Sequence, residues 1–227
     1  NVDSLSYQGA HIDEFGDYID FGSSGKSLGS VQVTMSSWTL HSDFQTYDPS
    51  YYIHPITLNI YEVNTANPSD PQPGAVLATQ TSDFQIPWRP EISAYNGLAF
   101  NISFDFESLG VVLPKEIMFG ITFNTQDYGY SPLNQVGPYN SLNLGVTQDI
   151  PSVGTDVDRD GFLIRDPAGG PDYVVSPGWE YPVMIQFSEP VNISPVPEPG
   201  TWMAGLALFA ACAIHHFRRT LTASRAS

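Results

Sequence analysis

From Val31 the chain alternates apolar and polar residues, the period of strands with one buried face. Val31, Val33 and Met35 set the rhythm. At Ser36-Ser37 it slips by one residue, as a β-bulge would make it, so that Trp38 and Leu40 continue the apolar row. A Tyr-rich loop with Tyr47, Tyr51 and Tyr52 leads to a second row, Ile56, Leu58 and Ile60. The stretch from Asn64 to Gly74, with prolines at 68, 71 and 73, reads as a surface loop. Short apolar pieces follow at Val76-Leu77 and Phe84 to Ile86, and Pro87-Trp88-Arg89-Pro90 reads as an aromatic turn. The longest alternation is Leu98, Phe100, Ile102, Phe104 and Phe106, repeated after Gly110 by Ile117, Phe119, Ile121 and Phe123. Their bulk predicts that these two strands are central. Leu142 to Val146, Phe162-Ile164, Val174-Val175 and Tyr181 to Phe187 complete about nine or ten strands. Before residue 200 no apolar row holds helical spacing. An all-β fold is predicted for residues 1–188, an antiparallel β-sandwich of jelly-roll type.

The pattern breaks near the C-terminus. Residues 189–200 are rich in Pro and Ser and read as a tether. Thr201 to Phe217 is a run of 17 residues without acid, Lys or Arg. As a helix it reaches about 26 Å, just short of a hydrocarbon core of about 30 Å. No polar face recurs through 202–214, which separates it from an amphipathic core helix. Residues 201–217 are therefore predicted to span a membrane, with 218–227 as a basic tail. Five of the eight basic residues and all 24 acids precede the span, while Arg218, Arg219 and Arg225 follow it. This asymmetry places the tail in the cytoplasm and residues 1–198 outside.

Val196-Pro197-Glu198-Pro199, the apolar run and Arg218-Arg219 together resemble the C-terminal sorting signal of PEP-CTERM proteins, the substrates of exosortase-type membrane enzymes. The resemblance covers about residues 195–220. It implies that Pro197-Glu198-Pro199 is the recognition element, that the helix holds an inner-membrane intermediate, and that Arg218 and Arg219 retain the tail. It also implies delivery to the cell surface or extracellular matrix of a Gram-negative bacterium, in company with exopolysaccharide. Such a signal requires export, so the expectation is that a leader ahead of Asn1 was removed or that the sequence is a fragment. Residues 16–22, with Val31 to Trp38, also resemble jelly-roll domains of secreted bacterial proteins.

Composition narrows the remaining choices. The chain is 41% hydrophobic, which a folded domain needs, and carries 19 Gly and 19 Pro, which favour turns. A formal charge of −16 excludes nucleic acid as a partner and favours divalent cations. The single cysteine, Cys212, lies in the apolar run, so the exported part has no disulfide.

Candidate chemistry is sparse. Gly22 to Ser27 looks like a phosphate loop, but Asp20 stands where the first glycine belongs. Asp156-Val157-Asp158-Arg159-Asp160-Gly161 has the spacing at which carboxylates converge on calcium. Its twelfth position is Pro167 rather than Glu, so it reads either as a partial calcium loop, with Asp156, Asp158 and Asp160 as ligands, or as a solvated acidic turn. His11, His41 and His54 are scattered, and no nucleophile motif accompanies them. Loop aromatics, chiefly Trp88, Tyr128 and Tyr130, suit stacking on sugar rings; equally, they suit packing over sheet edges. The function expected is a non-catalytic cell-surface or extracellular-matrix protein, for which glycan is the ligand that open loop aromatics would suit. The alternatives are a secreted polysaccharide-active enzyme, for which Asp105 and Glu107 are the paired acids, and an uncleaved single-pass membrane protein.

The acidic loop yields a test. An ion that binds only the folded state at a hundred times its Kd stabilises it by about 2.7 kcal/mol, and a domain of this size gains about 2–4 °C per kcal/mol. Millimolar calcium is expected to raise the melting midpoint by several degrees in the wild type and much less in Asp158→Ala. Equal shifts in both proteins would reduce the effect to general screening.

Overall fold

A computed structural model describes residues 3–4, 14–66, 71–92, 97–123, 136–147, 149, 151–157, 162–165, 174–176 and 182–190. For residues 3–4, 162–165 and 174–176 the description is of backbone alone. The fold is all-β with antiparallel sheets. Its strands are β1 (Asp3–Ser4), β2 (Glu14–Asp20), β3 (Lys26–Ser27), β4 (Ser30–Ser37), β5 (Tyr51–Asn64), β6 (Gln72–Pro87) and β7 (Leu98–Asp105). They continue with β8 (Val112–Leu113), β9 (Glu116–Thr122), β10 (Leu142–Val146), β11 (Thr155–Asp156), β12 (Phe162–Arg165), β13 (Val174–Ser176) and β14 (Ile185–Ser188). Helical geometry among the described residues is confined to short 3-10 turns at His41–Asp43, Glu107–Leu109 and Pro138–Ser141.

A five-stranded sheet is ordered β1-β10-β4-β14, with β7 on the other side of β4. A seven-stranded sheet runs β13-β12-β2-β9-β5-β6, with β11 also beside β2. Strands β3 and β8 form a small pair. The alternation predicted from sequence supplies the inner faces. Val31, Val33 and Met35 of β4, Ile102 and Phe104 of β7, Ile56, Leu58 and Ile60 of β5, and Ile117, Phe119 and Ile121 of β9 are buried in one apolar core. Rings from the two sheets meet there: Phe84 of β6 packs edge-on against Phe104 of β7, with centroids 5.1 Å apart.

Several local expectations change. Of the two bulky strands, β9 is central, lying between β2 and β5, but β7 pairs with β4 alone among the described residues. A bulky row reports one buried face and says nothing about how many neighbours a strand has. No bulge interrupts Ser36-Ser37, because β4 pairs with β7 in unbroken register from Ser30↔Asp105 to Ser37↔Leu98. The register shifts occur instead in β5, at Ile60/Tyr61 and Tyr61/Val63. Tyr51 and Tyr52 open β5 rather than lying in a loop, and the pieces at 76–77 and 84–86 belong to the single strand β6. Long cross-strand pairing carries both through polar stretches that look like interruptions in sequence.

The outer face of the larger sheet is also buried in its middle. Tyr18, Met118 and Tyr61 pack together there, and Glu14 is fully buried. The Glu14 carboxylate accepts hydrogen bonds from Tyr61 Oη at 2.8 Å and Asn59 Nδ2 at 2.9 Å. It lies across Gly120, which pairs directly with Gly16. A Cβ on Gly16 would overlap the Phe119 carbonyl oxygen, and one on Gly120 would overlap Glu14 Oε1.

Contacts within the chain divide it into two units, Asn1–Pro190 and Val191–Ser227. Every strand above belongs to the first. Among the described residues no helix is long and apolar enough to cross a membrane, and the predicted span at 201–217 lies outside them.

Gly16→Ala is expected to cost about 3 kcal/mol, the upper range for overpacking, because the obstacle is backbone. Gly22→Ala has open space but a φ of 77°, so its cost should be nearer the 1–2 kcal/mol (about) of a left-handed residue. Urea midpoints of the two variants check the order; equal midpoints would contradict the close approach of β2 and β9.

Candidate functional site

The outer face of the smaller sheet is the most regular polar surface of the fold. With Val31, Val33 and Met35 turned inward, Gln32, Thr34 and Ser36 of β4 take the outward positions, Gln32 exposed, Thr34 half-buried and Ser36 covered. On β7 the outward residues are Ala99, Asn101, Ser103 and, at the strand's end, Asp105, and on β14 Gln186. Register sets them side by side: Gln32 opposite Ser103 and Gln186, Thr34 opposite Asn101, Ser36 opposite Ala99. Thr34 Oγ1 donates to Asn101 Oδ1 at 2.9 Å, and Asn101 Nδ2 donates to Gln32 Oε1 at 3.2 Å. The chain of bonds fixes which way each amide presents its donors.

Trp38 continues this outward row. Because β4 has no bulge, position 38 keeps the facing of 32, 34 and 36, and the side chain is 37% exposed. Its backbone N–H donates to Ser141 O at 3.0 Å. A Cβ on Gly97 would sit 3.0 Å from Trp38 Cε2 and 3.2 Å from both Trp38 Nε1 and Ser36 Oγ. The indole thus lies over a position that must lack a side chain. Sequence reading turned Trp38 inward; the unbroken strand pairing turns it out.

Trp88 has the opposite fate. It is 8% exposed, and its Nε1–H donates to Asp48 O at 2.9 Å. Tyr52 covers it with centroids 5.0 Å apart, His41 and Tyr47 close its edges, and no open ring face remains for a sugar. Behind this cluster His54, 3% exposed, stacks on Tyr139 with centroids 5.0 Å apart and planes at 19°. Burial pushes the imidazole down to about 4 and pushes the Tyr52 hydroxyl up. Tyr128 and Tyr130 lie outside the described residues.

A hollow of about 730 Å³ runs along β14, lined by Phe21, Phe119 and Phe187, by Asp17, Asp149 and Asp156, and by Gln32, Thr34, Asn101 and Gln186 of the polar row. Asp156 is placed there by β11, which pairs it with Ile19 of β2. Asp158 and Asp160 lie outside the described residues, as do Val196, Pro197, Glu198, Pro199, Arg218 and Arg219. Among the described residues no three His, Cys, Asp or Glu side chains gather as a metal set. Asp105 and Glu107 are both exposed, and the Glu107 N–H donates to Asp105 Oδ1 at 2.9 Å, so they are neighbours in one turn rather than partners across a cleft. At the same end of β2 as the Asp156–Ile19 pairing, Lys115 Nζ lies 2.8 Å from Asp20 Oδ2 and holds that carboxyl below its ordinary range.

No family model, curated protein or solved structure matched this chain.

His54 gives a pH test. Its folded-state pKa of about 4 lies below the ordinary 6.5, so the unfolded chain binds a proton that the folded one refuses. The stability of the neutral, stacked ring is complete above pH 6.5 and is lost as pH falls through about 4. The gap corresponds to about 3 kcal/mol. Between pH 7 and pH 4 the wild type should lose about that much more stability than His54→Phe in urea titrations. Parallel losses would mean that the ring takes its proton while folded.

Proposed function

We propose that the chain is an exported, non-catalytic protein of the cell surface or extracellular matrix, sorted through a C-terminal PEP-type signal and associated with exopolysaccharide. The observation that carries this reading is the order of Val196-Pro197-Glu198-Pro199, the apolar run 201–217 and Arg218-Arg219. An exosortase-type enzyme recognises Glu198 between its prolines. The apolar run is a transmembrane helix that holds the intermediate, and residues 1–188 form a jelly-roll sandwich outside the inner membrane. The unit boundary between Pro190 and Val191 supports this division. So does the end of β14 at Ser188, since the described strands all precede Pro197 to Pro199. Gly29 helps hold that exit: its N–H donates to Ser188 O at 2.8 Å, and a Cβ there would meet the backbone of Glu189 and Pro190. Calcium held at Asp156, Asp158 and Asp160 offsets part of the acidic self-repulsion of the exported domain.

Both prolines restrict the backbone around Glu198 to extended conformations. Glu198→Ala is expected to leave full-length protein in the inner-membrane fraction, where the wild type is shortened and released. Release of the variant at the wild-type level would overturn the sorting reading.

A further inference from the structure

We propose that the outer face of the smaller sheet holds a neutral polysaccharide chain, with Trp38 as the stacking platform and the Thr34–Asn101–Gln32 bonded chain as the hydrogen-bonding row. This rests on the exopolysaccharide association argued above and gives it a site and a ligand class.

Charge is the first argument. The molecule carries 24 acids against 8 bases, yet the stretch from Trp38 to Gln32, with Ala99, Asn101, Ser103 and Gln186 beside it, includes no ionisable group; the outward row of β7 reaches one only at its end, Asp105. A solvent-facing sheet surface ordinarily carries charge, so an uncharged one on this chain fits a partner without charge. A polyanion would meet the repulsion of the whole domain. Gln32, Thr34, Asn101 and Gln186 also line the hollow along β14, so its acids, Asp17, Asp149 and Asp156, border this row.

Chemistry is the second argument. Sugars offer apolar C–H faces to a flat aromatic ring and hydroxyl groups that both donate and accept. Trp38 offers the ring, with Gly97 beneath it and Ala99 beside Ser36, so no bulky side chain rises next to the platform. Amides and hydroxyls match sugar hydroxyls in both roles, and here their orientation is set before any ligand arrives. Gln32 and Trp38 stand six positions apart on one line, about 20 Å at strand rise, long enough for several sugar rings in an extended chain.

The test uses full-length protein in detergent and the exopolysaccharide of the cells that make it, treated with protease and separated by anion exchange into neutral and acidic fractions. Affinity electrophoresis should show retardation by the neutral fraction, together with a shift in tryptophan emission. Trp38→Ala should weaken that retardation roughly tenfold, the equivalent of an aromatic contact worth about 1.4 kcal/mol. Asn101→Ala should weaken it by several-fold, and Trp38→Phe should recover part of the loss. Thr79→Ala, exposed on the other sheet, should bind as wild type. Melting curves on every variant separate lost binding from lost folding. Wild-type binding that survives both Trp38→Ala and Asn101→Ala would overturn the site while leaving the exopolysaccharide association intact. Binding only to the acidic fraction would overturn the ligand class. Binding to neither, or only to material that protease removes, would overturn the association itself and this site with it. The Glu198→Ala result stands apart from all of these.

Discussion

The structure depends on one apolar seam. With Cys212 as the only cysteine, no disulfide ties the two sheets, and their inner rows must hold each other by burial alone. Val31, Val33, Ile56, Ile60, Phe104, Ile117 and Ile121 are fully buried along it. Phe187 extends the seam to β14 by packing on Phe21 and Phe119. This last contact ties the strand nearest the tether to the centre of the larger sheet, so the point where the chain leaves the domain is as firmly set as its core.

Because the inner faces are committed to the seam, function falls to the outer faces, and these differ. The larger sheet buries the middle of its outer face, with the Glu14 carboxylate bonded to Tyr61 and Asn59 and lying across the flat Gly16–Gly120 pair. Removing one partner of a buried charge is costly, which makes that face a structural commitment. The smaller sheet instead leaves Gln32, Asn101, Ser103 and Trp38 open to solvent. Its polar groups bond to one another along the surface and so stay aligned without being covered.

Charge connects the domain to its tail. The acids all lie at or before Glu198, and the charged residues after it are all arginines, the asymmetry on which the proposed orientation rests.

The period of two in the sequence determined the all-β class and most inner-row residues, because alternation follows from strand geometry whatever the strand pairs with. It also separated the acidic, turn-rich domain from the apolar run and its flanking Pro-Glu-Pro and Arg-Arg. The candidate face was only half legible: Gln32, Thr34 and Asn101 fall outward once their apolar neighbours turn in, but nothing in the pattern joins them into one row. Three things belonged to tertiary structure alone. Among the described residues, neighbour count gave β7 one partner and made β9 a centre, since a single chain segment cannot reveal what lies on its flanks. The buried outer-face carboxylate of Glu14 depended on Tyr61 and Asn59, brought from some 45 residues away. The exchange of roles between the two tryptophans was decided the same way. Trp88 vanished under Tyr47, Tyr52 and His41, whereas an unbroken register between β4 and β7, with a glycine at position 97, left Trp38 facing water. The exposure of an aromatic ring depends on what packs over it, and that is settled by segments distant in sequence.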